Sequence, residues 1–183
     1  MHQDYESGRI QGPPKNIYAV VIFLPPHLDE IIYPLRRQFD PLYSKVPGHI
    51  TLVFPFESNM TMTELSGIIK HELEVIRPIE IELESIGDFY PDSPTIYWKI
   101  SPCEPLKQLY QSLHTRLELP VQFENYIPHV TVAREISRHR VLLVKERIVP
   151  YLPSEKFTAE SIDLVVPIAN DKWVSVRSFS LVE

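Results

Sequence analysis

His49-Ile50-Thr51-Leu52 and His129-Val130-Thr131-Val132 are two copies of one pattern, a polar residue alternating with an aliphatic one. That alternation is the period of a strand with one face in the core, so within each copy His and Thr project from the same side. Seven His and seven Thr among 183 residues give about 0.3 His-x-Thr triplets in a shuffled chain. The shared context goes beyond the triplet, since Pro47 and Pro128 stand shortly before the two copies. Two imidazoles facing one another suit a reaction that removes a proton on one side and supplies one on the other. An ordinary histidine pKa near 6.5 lets one ring be a free base while its partner is an acid near neutral pH.

Hydrolysis of a phosphodiester, above all a strained cyclic one, has these needs: attacking water must lose a proton and the leaving alkoxide must gain one. Each Thr hydroxyl, about 7 Å along the strand from its His, is placed to donate to a non-bridging phosphate oxygen. Such chemistry requires no metal. Neither motif brings a carboxylate or a third His at ligand spacing, so no zinc site and no cofactor is expected.

Positioning these residues requires strands at 49–52 and 129–133, and the flanking sequence supplies supports for both. Ile17 to Leu24 is an apolar run stopped by Pro25-Pro26, a central strand. Leu28 to Phe39 has helical spacing with Pro34 inside it, and Thr61 with Glu64 reads as a capping box opening a helix to about Ile76. Ile79 to Glu84 alternates strictly and pairs as a hairpin with Thr95 to Ile100. Glu104 to Leu117 and Ile136 to about Val149 read as helices, with Phe157 to Val166 and Lys172 to Leu181 as a second hairpin. The two His stand about 80 residues apart, close to half the chain, and each half reads as helix, His-Thr strand, helix, strand pair. The expected fold is α+β: bilobal and pseudo-twofold, two mainly antiparallel sheets lining a central cleft with helices outside. Residues 1–15 read as a flexible leader and 16–183 as a single domain.

Composition bounds the partners. A formal charge of −6 disfavours a surface that coats long duplex nucleic acid, yet one phosphate needs only local positive groups. The lone Cys103 excludes an internal disulfide, and no apolar run approaches a membrane span. A cytoplasmic setting, no membrane and no obligate protein partner are the expectations.

With their flanking apolar positions and spacing, the paired His-x-Thr motifs resemble those of the 2H phosphoesterase superfamily, and most of all its 2′-5′ RNA ligase and RNA cyclic phosphodiesterase branch. The likeness spans about Ile17 to Leu181. It implies metal-independent opening of a 2′,3′-cyclic phosphate, on a nucleotide or an RNA end, to a 2′-phosphate. His49 and His129 would be acid and base, Thr51 and Thr131 phosphate ligands, with His129 taking the proton from water and His49 protonating the leaving oxygen as the first ordering. Arg134 follows the second motif as an Arg does in relatives. Strand parity puts it on the opposite face unless the strand ends first, so it reads as either a phosphate ligand or a surface ion pair. Among the aromatics that could stack a base, Tyr126 is preferred to Phe56, Tyr90 and Trp98, and Phe54 is expected in the core. The other readings are 2′-5′ RNA ligation, hydrolysis of ADP-ribose 1″,2″-cyclic phosphate, a non-catalytic protein that binds a nucleotide or RNA end, and two core strands whose histidines merely bond backbone carbonyls.

Overall fold

The computed structural model describes residues 16–181, so the leader expected over 1–15 lies outside the described residues. Strand β1 (Asn16–Phe23) carries the first apolar run, with Tyr18 to Ile22 buried. Pro25-Pro26 ends it and starts α1 (Pro26–Phe39), because a proline at the first helical position forfeits no hydrogen bond. The helix runs through Pro34 and buries Leu28, Ile32 and Leu35. Strand β2 (His49–Ser58) returns antiparallel to β1.

Helix α2 (Met62–Leu73) opens on the expected box: Thr61 Oγ1 accepts the Glu64 N–H at 3.3 Å, and Glu64 Oε2 accepts the Thr61 N–H at 2.8 Å. It stops at Leu73 rather than near Ile76. The hairpin of β3 (Ile79–Asp88) and β4 (Ile96–Ile100) follows, then α3 (Glu104–Arg116) and β5 (His129–Ala133). Helix α4 (Val141–Ile148) is shorter than its expected span, with single 3₁₀ turns at Arg138–Arg140 and Val149–Tyr151 on either side.

The run from Phe157 to Val166, read in the sequence as one strand, is two. In β6 (Glu155–Ala159) exposed and covered residues alternate, the signature of an edge strand, whereas β7 (Ser161–Ile168) is buried continuously from Ile162 to Val165, as a central strand must be. They part at Glu160: β6 pairs with β3, while β7 pairs with β1 and with β8 (Lys172–Ser180).

The strand order is β6-β3-β4-β5-β2-β1-β7-β8, all neighbours antiparallel. The strands form one eight-stranded sheet where two were expected, because its halves, β6-β3-β4-β5 and β2-β1-β7-β8, are joined at a seam where Ile50 pairs with Val130. The lobes exchange sequence halves. The hairpin β3–β4 serves the second motif's strand, and β7–β8 serves the first. Helices α2 and α3 cover the β2 lobe, while α1 packs on β5 and α4 on β3. One apolar cluster runs behind the whole sheet, from Val20 through Leu52, Trp98 and Val130 to Leu164. Burying it supplies the main stabilisation and fixes register, since a one-residue slip of β2 or β5 would turn the motif side chains into the core.

Candidate active site

Ile50, Leu52, Val130 and Val132 are fully buried behind the seam, which leaves His49, Thr51, His129 and Thr131 half-buried on the opposite face. Antiparallel pairing at Ile50 and Val130 sets His49 across from Thr131 and Thr51 across from His129. The imidazoles therefore occupy one diagonal of a square and the hydroxyls the other, with diagonal neighbours about 7–8 Å apart. All four line one cleft of about 180 Å³. A larger cavity of about 920 Å³ lies between the α2–β3 connection, α3 and β6, but neither imidazole reaches it.

Both rings are held by the same device. His49 Nδ1 meets the Pro47 carbonyl at 2.7 Å, and His129 Nδ1 meets the Ile127 carbonyl at 2.8 Å. A carbonyl only accepts, so each Nδ1 carries the hydrogen and each Nε2 is left for chemistry. Gly48, just before His49, donates its N–H to Asp29 Oδ1 at 2.7 Å and ties the strand's start to α1. A Cβ there would fall 2.7 Å from both that oxygen and the Ile32 side chain, so the close approach requires glycine.

The surroundings favour neutral rings. Desolvation is the largest influence on His49 and, against the opposing bond to Pro47, lowers its pKa to about 4; Arg36, Arg134 and His129 add repulsion. His129 is also lowered, first by desolvation, with Arg134 adding repulsion and the Ile127 carbonyl opposing.

Arg134 reaches the cleft because β5 ends at Ala133. Its N–H turns to the Phe39 carbonyl at 3.0 Å, and Glu135 takes a left-handed φ of 57°, so strand parity no longer applies. Its Nε lies 3.0 Å from Asp40 Oδ1, and Asp40 Oδ2 accepts from Arg36 Nε at 3.0 Å. Sequence reasoning missed Arg36 and Asp40. Their spacing of four across the end of α1 was the available signal, and it reads equally well as a surface pair.

Tyr126 is not brought to the cleft. It is 7% exposed, stacks on Tyr110 at 4.1 Å, and donates its hydroxyl to the Thr51 carbonyl at 2.7 Å, so it supports β2 from behind. Burial pushes that hydroxyl's pKa up. Trp98 is fully buried and Phe56 packs near Tyr18, while Tyr90 remains exposed. Phe54, expected in the core, instead lines the cleft edge-on to Phe123, with Trp173 on another wall. Phe89 and Tyr97 each set a ring 5.0 Å from that of His129. Among the described residues no group of three or more His, Cys, Asp or Glu could hold a metal ion, and no helix is long and apolar enough to cross a membrane.

Solved structures share this architecture. Escherichia coli LigT complexed with NADP+ matches with a TM-score of 0.61 over 93% of this chain and 100% of LigT, at 17% identity. A Thermus thermophilus protein matches with a TM-score of 0.64 over 90% and 97%, at 16% identity. Such identities speak for fold alone, and that fold is the one found in 2H phosphoesterases. Among sequence relatives, a provisionally named phosphoesterase of Bacillus licheniformis is 28% identical over 90% of this chain and 98% of its own length. Another, of Shouchella clausii, is 30% identical over 90% and 97%. The family model for the 2′-5′ RNA ligase superfamily matches residues 24–171, and the chain belongs to that superfamily of 2H phosphoesterases.

Proposed function

We propose that this protein hydrolyses a 2′,3′-cyclic phosphate, on a nucleotide or at an RNA end, to a 2′-phosphate, with its two histidines as general base and general acid. The observation that carries the reading is the mirrored pair: two imidazoles, each tied through Nδ1 to the carbonyl two residues earlier, across one small cleft. Water attacks phosphorus as one Nε2 removes its proton. The bond from phosphorus to the 3′-oxygen breaks, and the other imidazole, protonated, gives that oxygen a proton. Thr51 and Thr131 hydroxyls donate to the non-bridging oxygens where negative charge gathers. Arg134 adds a cationic fork on the same wall. The side chains supply both proton transfers, so no metal step is needed.

The positive charges divide the roles. Arg36 and Arg134 both act on His49, while His129 feels Arg134 and sits between the rings of Phe89 and Tyr97. Because Arg36 adds its repulsion at His49 alone, we assign His129 as the acid and His49 as the base, the reverse of the first ordering from sequence. Structures of LigT complexed with ATP, with 3′-AMP and with phosphate support a nucleotide or phosphate ligand for this fold. The superfamily's description favours a second outcome of the same chemistry: a 5′-hydroxyl attacking in place of water would make a 2′-5′ linkage.

The test is turnover of nucleoside 2′,3′-cyclic phosphates in EDTA by wild type, His49→Ala and His129→Ala. Each substitution is expected to lower the rate at least about a hundredfold, the scale of losing an acid or base, while product binding persists. Wild-type rates in both variants would remove the histidines from the mechanism.

A further inference from the structure

Two charged residues behind the cleft take no part in that proton transfer, yet they are among the most deeply buried polar groups described. Arg36 is 3% exposed and Asp40 2%. The Asp40 carboxylate lies between two guanidinium groups, with Arg36 Nε 3.0 Å from Oδ2 and Arg134 Nε 3.0 Å from Oδ1. Oδ1 also accepts the Leu42 N–H at 3.0 Å, and Arg36 reaches the Leu42 carbonyl with Nη2 at 3.5 Å.

One buried Arg–carboxylate pair roughly balances attraction against desolvation. A second Arg on the same carboxylate leaves one positive charge uncompensated, which packing alone does not explain. That charge falls beside the imidazoles. The charged or titratable groups acting on His49 are Arg36, Arg134 and His129, and Arg134 acts on His129. Lys45, in the loop after α1, is turned to the Asn170 carbonyl, and Asp163 of β7 accepts from the Ser175 hydroxyl at 2.6 Å.

We propose that Asp40 is the positioning residue for Arg134, and that the Arg36–Asp40–Arg134 group fixes one unit of positive charge in the cleft wall, selecting a singly charged phosphodiester over a doubly charged phosphomonoester. The proposal rests on the phosphoester reading of the site. Asp40 holds Nε of Arg134 by an ion pair at 3.0 Å without a hydrogen bond, and the two terminal nitrogens form the fork offered to non-bridging oxygens. A cyclic diester carries one negative charge and brings the wall to neutrality in the form with both imidazoles uncharged, the form that binds before His129 takes up the proton it later gives the leaving oxygen. A monoester above its second pKa, about 6, carries nearly two, and the cleft then holds an excess negative charge unless an imidazole takes up a proton. Hydrolysis converts the first species into the second, so the charge that admits substrate also favours release of product at neutral pH.

Asp40→Asn and Arg36→Met test this, with a nucleoside 2′,3′-cyclic phosphate as substrate and the nucleoside 2′-monophosphate as competitor at pH 8. Asp40→Asn raises the group to two positive charges and frees Arg134. Monoester binding should tighten about tenfold while kcat falls about tenfold, a split that a merely structural role would not produce. Arg36→Met brings the group to zero with the Asp40–Arg134 pair intact, and both ligands should bind about tenfold more weakly. Equal loss for both ligands in Asp40→Asn, or unchanged constants in Arg36→Met, overturns the proposal. If Asp40→Asn does not fold, Arg36→Met decides alone. Absence of cyclic-phosphate turnover in wild type would instead overturn the phosphodiesterase reading.

Discussion

His49 and His129 start their strands in the same way, bond the carbonyl two residues back through the same nitrogen, and face a Thr of the opposite strand, but their neighbours differ in kind. His49 feels the charge of two cations, Arg36 and Arg134, and has one ring, Phe23, edge-on at 6.4 Å. His129 feels Arg134 but not Arg36, and stands against two rings, Phe89 and Tyr97, packed 4.4 Å from each other. Gly87 makes that packing possible, since a Cβ there would lie 2.5 Å from the Tyr97 ring. Repetition of the backbone fixes where the two nitrogens stand; divergence of the surroundings decides which of them holds a proton more readily.

The largest effect that would break this division comes from changing the leaving group. An activated aryl phosphodiester needs no proton on its departing oxygen, so His129→Gln should keep most of the wild-type rate on it. His49→Gln should still lose about a hundredfold or more. Equal losses would erase the distinction between base and acid.

A smaller effect is expected in the pH profile. With His49 required neutral and His129 required protonated, kcat/KM should fall below about pH 4, the value for His49, and should fall again at a pH below the ordinary histidine value of 6.5, because His129 is lowered too. An optimum above pH 7 would show that the free protein holds its imidazoles otherwise. The same shift bears on folding. His49 titrates lower in the folded chain than in the unfolded one, so the unfolded chain binds more protons between about pH 4 and 6.5. Stability from this group is complete above about 6.5 and is lost as pH falls through that window. Urea denaturation of His49→Ala should show a flatter dependence there than wild type.

The smallest effect concerns the back of the seam. Tyr126→Phe removes one hydrogen bond to Thr51, and should lower stability by about 1 kcal/mol in urea denaturation while leaving kcat within about twofold. A large loss of kcat at unchanged stability would return Tyr126 to the substrate.

Local patterns in the chain carried much of this arrangement. Alternation around His49 and His129 predicts the shared face, Thr61 and Glu64 predict the start of α2, and the Ile79–Glu84 stripe predicts a strand with one wet side. What escaped depends on partners distant in sequence. Neither Gly nor Pro marks the parting of β6 from β7 at Glu160, because the break reflects which strand each segment meets, β3 or β1. Nothing local to Asp40 shows that Arg134, just past the end of β5, will close on it. Tyr126 was placed by its nearness to His129 along the chain, whereas α3 offers the Tyr110 ring and β2 a carbonyl on the far side of the sheet.

The central claim is that the two imidazoles act as one unit on one phosphate, and the double variant His49→Ala/His129→Ala tests it most directly. Initial rates on a 2′,3′-cyclic nucleotide in EDTA should be no lower for the double variant than for the slower single one, because groups that share a step are not additive. Losses that multiply, or a single variant that retains the wild-type rate, would contradict it.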